Sequence, residues 1–185
     1  MTPVDILFLC TGNTCRSPMA AALFREQLRQ AGVEATVHSA GTTRDGQPAT
    51  DHGVAVMAER GLDTSGHRSR RLTPELAQGA DLIVGMGREH VREAVAVWPG
   101  AWPRAFTLKE LVRRGEQIGP PAAGQPLADW VARLHAPRRP DELMGRSTAD
   151  DVEDPVTKPR KHYERTAAEL DDLTGRLARL LGSAR

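Results

Sequence analysis

A cysteine and an arginine six positions apart, Cys10-Thr-Gly-Asn-Thr-Cys-Arg16, stand between an apolar run and a helix-forming run. Val4 to Leu9 reads as a buried strand. The stretch from Pro18 to about Ala31 reads as a helix, with Ser17 as its cap and Pro18 in its first turn. The loop between them therefore lies at a helix N-terminus. Its backbone N–H groups can turn inward and form a nest for anionic oxygens. Gly12 permits the close approach such a loop needs. Arg16 adds a planar fork of donors that matches two phosphate oxygens. The same positive field favours the thiolate of Cys10, and the Ser17 hydroxyl can donate to it. A lone cysteine is ordinarily a small buried hydrophobe. Here the strand before it, the glycine within the loop and the Ser-Pro pair after it mark Cys10 as a nucleophile. It would lie at the floor of an oxyanion cradle. No second Cys/His pair completes a zinc site with Cys10 and Cys15, so neither metal nor cofactor is expected.

Strand-like and helix-like segments alternate along the rest of the chain. Strands are expected over Glu34–Ser39, Asp81–Met86 and Arg104–Phe106, and helices over Thr50–Arg60, Arg88–Val97, Thr107–Arg114 and Leu127–Leu134. Tyr163, Ala167, Leu170, Leu173, Leu177 and Leu180–Leu181 recur at helical spacing and predict an amphipathic C-terminal helix. This alternation predicts an α/β fold in one domain spanning residues 1–185. It is a three-layer sandwich, with a four-stranded parallel sheet covered by helices on both faces. Sites in such sheets lie at the carboxyl ends of strands, where Cys10 falls.

The 185 residues suffice for one core. With 25 basic and 24 acidic residues the net charge is only +1, which gives no electrostatic case for nucleic acid. No run is long and apolar enough for a membrane span, and the N-terminus lacks a signal-peptide pattern. Two cysteines, one needed as a thiolate, point to a reducing cytoplasm.

The segment Val4–Ala20 resembles the signature of the low-molecular-weight protein tyrosine phosphatases, a Cys-x5-Arg-Ser loop after the first strand. Ser39-Ala-Gly-Thr42, Gly66-His67-Arg-Ser-Arg70, Ala80-Asp-Leu-Ile-Val84 and Asp154-Pro155 follow in family order. The resemblance implies a phosphoprotein substrate that is hydrolysed through a phosphocysteine on Cys10. Its phosphate is bound by Thr11, Gly12, Asn13, Thr14, Cys15, Arg16 and Ser17. Leaving-group protonation requires an acid. Among Asp150, Asp151, Glu153 and Asp154, the family's Asp-Pro pair and the stiffening by Pro155 favour Asp154. Asn13, Ser17, Ser39 and His67 match residues that hold the loop in shape. Cys15 matches a position that either forms a reversible disulfide with the nucleophile or packs as a thiol.

Phosphotyrosine is the first expectation for substrate on family frequency, with phosphoarginine close behind. The arginine phosphatases of the family carry Thr where tyrosine-type members often carry Ile, and this chain has Thr14. Val156 and Thr157 follow Asp154-Pro155, and residues 43–46 contain no aromatic. Arsenate reduction with a small-molecule thiol is a third reading; a thioredoxin-linked version would need further cysteines. Residues 115–150, with the breaker Gly119-Pro-Pro-Ala-Ala-Gly124, depart from the family pattern and read as an insertion forming one rim of the pocket. Trp130, Trp98 and Trp102 are weighed as an aromatic wall against ordinary core packing. Arg138-Arg139 and Lys158-Pro-Arg-Lys161 are weighed as lures for acidic substrates against solvated surface.

Overall fold

The computed structural model describes residues 3–145 and 147–183. Four strands form one parallel sheet in the order β2-β1-β3-β4. They are β1 (Val4–Cys10), β2 (Ala35–Gly41), β3 (Leu82–Gly85) and β4 (Ala105–Thr107). Helices α1 (Arg16–Gln30), α2 (Asp51–Ala58), α3 (Pro74–Gly79), α4 (Arg88–Val97), α5 (Leu108–Ile118), α6 (Leu127–His135) and α7 (Arg160–Gly182) connect and cover it. This is the expected three-layer α/β sandwich. Among the described residues, no helix is long and apolar enough to cross a membrane.

The central strand β1 is buried on both faces because its side chains alternate between two apolar cores. Ile6, Phe8 and Cys10 face the larger core with α1, α5 and α7, where Phe8 meets Phe24 of α1 edge-on at 5.6 Å. Leu7 and Leu9 face the smaller core with α3, α4 and a 3₁₀ turn at Pro99–Arg104. Each such buried side chain contributes about 1.5–3 kcal/mol. The parallel register sets Cys10 opposite Gly41 and Phe8 opposite Ser39, so β1 and β2 end together beneath the loop.

Two sequence expectations, the cap at Ser17 and the surface placement of Arg138, are corrected. Helix α1 starts at Arg16 with Cys15 at its N-cap, and Ser17 caps nothing. The Ser17 hydroxyl instead lies 3.0 Å from Cys10 Sγ and 2.9 Å from Asn13 Nδ2. Arg138 is not surface charge. It is buried, stacks 4.0 Å over the Trp102 ring and 4.1 Å over Phe106, and pairs with Glu110 at 2.9 Å. Its Nη2 also donates to Ala105 O at 2.8 Å, which ties the segment after α6 to β4. Trp130 joins the core beneath α5 and α7, its indole N–H donating to Gly119 O at 2.9 Å, so it forms no pocket wall.

Candidate active site

The loop after β1 is shaped by turning its carbonyls outward. Thr11 O accepts from Thr42 N at 2.9 Å and Thr43 N at 3.2 Å. Asn13 O accepts from His67 Nε2 at 2.6 Å, and Thr14 O from Thr50 N at 2.9 Å. The amide hydrogens are thereby left to the concave side. There Cys10 Sγ already accepts one, from Asn13 N at 3.2 Å. A thiolate at this position has two donors within reach, that amide and the Ser17 hydroxyl.

Asn13 is the post on which the loop hangs. Its φ of 50° lies in the left-handed region, which asparagine tolerates better than most residues. Its side chain donates to Ser17 Oγ at 2.9 Å and Ser39 Oγ at 2.8 Å, and its Oδ1 accepts from Arg70 N at 3.0 Å. Backbone strain of this kind persists only where surroundings over-determine it. Gly41 supplies the room: a Cβ there would lie 2.8 Å from Thr11 O and 2.9 Å from Asn13 N. Arg70 and His67 reach the site because their loop docks along the end of β2, with Gly41 N donating to Arg70 O at 2.8 Å. His67 is half-buried, and burial holds its pKa below the ordinary histidine value. The neutral ring donates through Nε2 to Asn13 O.

Arg16 occupies the first residue of α1, where the helix dipole disfavours a cation. Its side chain is buried, and a carboxylate meets it: Asp154 Oδ2 lies 2.7 Å from Arg16 Nη2. Arg16 Nη1 also donates to Val152 O at 3.2 Å. Asp154 is the acid that the fold brings to the loop. Asp150 pairs with Arg113 and Arg88, Asp151 accepts from Arg88 N, and Glu153 pairs with Lys158 on the surface. A cavity of about 340 Å³ opens over Cys10, Thr11, Gly12, Thr14, Cys15 and Arg16. Thr43, Arg44, Asp154 and Val156 form its mouth. Among the described residues, none of 115–150 lines this cavity, because α6 and its tryptophan are taken up by the core and Arg138 by β4. Thr148 instead lines the adjoining cleft, which shares Thr11, Arg16 and Asp154 with the cavity. Arg160 is likewise occupied, bridging Glu59 and Glu164.

His90 was invisible in the sequence. It is buried on α4, with Nε2 3.1 Å from Thr11 Oγ1. Burial, reinforced by the charge of Arg16, pushes its pKa down to about 3, so the ring is neutral. Nothing in the run Arg88-Glu-His-Val distinguishes it from a surface histidine.

Both cysteines are free thiols. Cys15 is buried with Sγ 3.7 Å from Met19 Sδ, and burial pushes its pKa up to about 12, helped by neighbouring Cys10. Its thiolate is therefore scarce at pH 8. Iodoacetamide at that pH is expected to label Cys10 alone in the folded protein, and Cys15 only after denaturation. Peptide mapping checks this, and native labelling of both at similar rates would contradict it.

Comparison with known proteins agrees with this geometry. The family described as low molecular weight phosphotyrosine protein phosphatase matches residues 5–118. A protein-arginine-phosphatase of Geobacillus stearothermophilus is 34% identical over 180 residues, covering 97% of each chain. A probable low molecular weight protein-tyrosine-phosphatase, EpsP of Ralstonia solanacearum, is 46% identical over 107 residues, 57% of this chain and 71% of the relative. The solved low molecular weight protein tyrosine phosphatase of T. tengcongensis superposes with a TM-score of 0.73 at 33% identity, covering 96% of this chain and 99% of its own. The chain belongs to the low-molecular-weight phosphotyrosine protein phosphatase family.

Proposed function

We propose that this protein is a phosphoprotein phosphatase that works through a phosphocysteine on Cys10, and that its preferred substrate is phosphoarginine. The observation that carries the substrate choice is the make-up of the cavity mouth. Thr43, Arg44, Asp154 and Val156 there, and Thr14 of the loop below, are small, polar or charged, and none offers an aromatic face to a phenyl ring. A guanidinium suits such walls. The cleft beyond Arg16 supports the same choice: Glu89, Asp151, Glu153, Asp154 and Glu169 outnumber Arg16 and Lys109 in its lining, and although Asp154, Glu153 and Glu169 are ion-paired, the surplus of carboxylates favours a cationic neighbour. The full-length likeness to a protein-arginine-phosphatase points the same way. Phosphotyrosine is the second reading, favoured by the 46% identity with a relative described as a tyrosine phosphatase.

Chemically, the phosphoryl group enters the cradle and takes over the Arg16 fork. Cys10 Sγ attacks phosphorus in line with the departing nitrogen or oxygen, and Asp154 gives that atom its proton. The same carboxylate then takes a proton from water as water attacks the phosphocysteine. Loop amides and Arg16 hold the charge on the equatorial oxygens throughout.

The test is side-by-side turnover of phosphoarginine and phosphotyrosine peptides without added metal. Rapid acid quench is expected to trap phosphate on Cys10. Thr14→Ile is expected to lower kcat/KM for phosphoarginine about tenfold or more relative to phosphotyrosine, the range typical of an apolar-for-polar change at a recognition wall. An unchanged ratio removes Thr14 as a determinant, and no trapped phosphocysteine sinks the mechanism.

A further inference from the structure

A carboxylate on a loop aims only as well as the chain on either side of it is held. Asp154 is 44% exposed, and its charged partner Arg16 is the group an incoming phosphoryl dianion would claim. Its aim must then come from elsewhere. The four residues before it supply a series of fixed points. Asp150 is buried, its Oδ1 accepting from Arg113 Nη1 at 2.6 Å and its Oδ2 lying 3.4 Å from both Arg113 Nη2 and Arg88 Nη2. Asp151 Oδ1 accepts from the Arg88 amide at 3.3 Å, and Val152 N donates to Met86 O at 2.8 Å. Glu153 O accepts from Thr166 Oγ1 at 3.3 Å.

From Asp150 to Glu153 these contacts reach α5 and α4, then the residue after β3, then α7, and the chain is released toward the cavity only at Asp154. Most of them are single neutral or backbone hydrogen bonds of modest net strength. The Asp150 contact differs in kind. One buried carboxylate is shared by two guanidinium groups on two different helices, with charge-assisted bonds that fix direction as well as distance. Burying it costs desolvation, which the short Arg113 Nη1 bond at 2.6 Å and two longer guanidinium contacts at 3.4 Å offset only while the geometry holds.

We propose that Asp150, gripped by Arg113 and Arg88, is a positioning residue for the proton donor: it anchors the segment so that the Asp154 carboxyl meets the leaving atom. This rests on the reading of Asp154 as the acid. The step it serves is transfer of the carboxyl proton to the departing nitrogen or oxygen as the P–N or P–O bond breaks and the S–P bond forms. Asp150 touches neither substrate nor Cys10.

The experiment compares kcat/KM for phenyl phosphate and dinitrophenyl phosphate. This ratio reports only the steps up to phosphorylation of Cys10. Phenolate needs a proton to depart, whereas dinitrophenolate leaves as a stable anion. Arg113→Met keeps the apolar stem of a half-exposed side chain and removes its grip, and Asp150→Asn keeps the shape and removes the charge. Both variants are expected to lose about tenfold on phenyl phosphate, a fraction of what a well-placed acid supplies. They are expected to stay within about a factor of two of wild type on dinitrophenyl phosphate, where no acid is called upon. Equal losses on both substrates, or no loss on either, would overturn the proposal. Asp154→Asn run in parallel separates the two claims. If it spares dinitrophenyl phosphate while the Arg113 and Asp150 variants discriminate nothing, positioning fails and the acid stands. If it discriminates nothing either, the acid reading fails.

Discussion

Cys10→Ser is expected to reduce turnover of any phosphorylated substrate by at least about 10⁴-fold, as loss of an enzymatic nucleophile does elsewhere. The geometry says why so small a change is so costly. Cys10 Sγ lies 3.0 Å from the Ser17 hydroxyl and 3.2 Å from the Asn13 amide, two donors suited to a sulfur anion. A serine hydroxyl in the same cradle would have to lose its proton with no general base beside it. Asp154 is paired with Arg16 and, in the proposed mechanism, serves the leaving atom. Vanadate or phosphate binding should survive within a few-fold, because the amides, Arg16 and Ser17 are untouched. Steady-state turnover and vanadate inhibition measured together decide the matter. Retained turnover means the nucleophile is not this sulfur.

The degree to which this site was legible follows chain separation. Cys10 to Ser17 form one contiguous run, and the physics of a strand feeding a helix through a glycine-bearing loop is local. That stretch was readable from residues alone. Ser39 and His67 entered through family resemblance, since the sequence gives no local reason for a serine on a strand or a histidine among arginines to hold up a loop. The structure supplies the reason in the docking of residues 66–72 along Gly41. His90 carried no signal at all, and Arg70 stood in a quoted motif with no role attached, since their roles arise from contacts across 79 and 57 positions respectively. The same limit explains Arg138. A charged residue beside another charged residue reads as solvated surface, and only tertiary structure reveals the Trp102 and Phe106 rings and the Glu110 carboxylate that make its burial tolerable. Ser17 is the converse case: Ser before Pro is a sound cap signal, overridden because the hydroxyl has better partners in Cys10 and Asn13.

Asp154→Asn carries the second large effect, a fall in kcat of about 10²–10⁴-fold on substrates with poor leaving groups. The amide is isosteric, so the loop should keep its shape, but it has no proton to give the departing atom and none to accept from the attacking water. Binding should move the other way. Asp154 Oδ2 sits 2.7 Å from Arg16 Nη2 and competes with any oxyanion for that guanidinium. Removing its charge removes the competitor and a repulsive neighbour together. With the Asp154 side chain 44% exposed, solvent screens much of this, so the gain in phosphate affinity should be modest, about two- to threefold. A large loss in rate combined with equal or tighter binding of inorganic phosphate is a pairing that general damage to the pocket does not produce. Competitive inhibition by phosphate, measured against residual turnover of the variant, tests it. If affinity and rate fall together, Asp154 is holding the cradle in shape rather than moving protons within it.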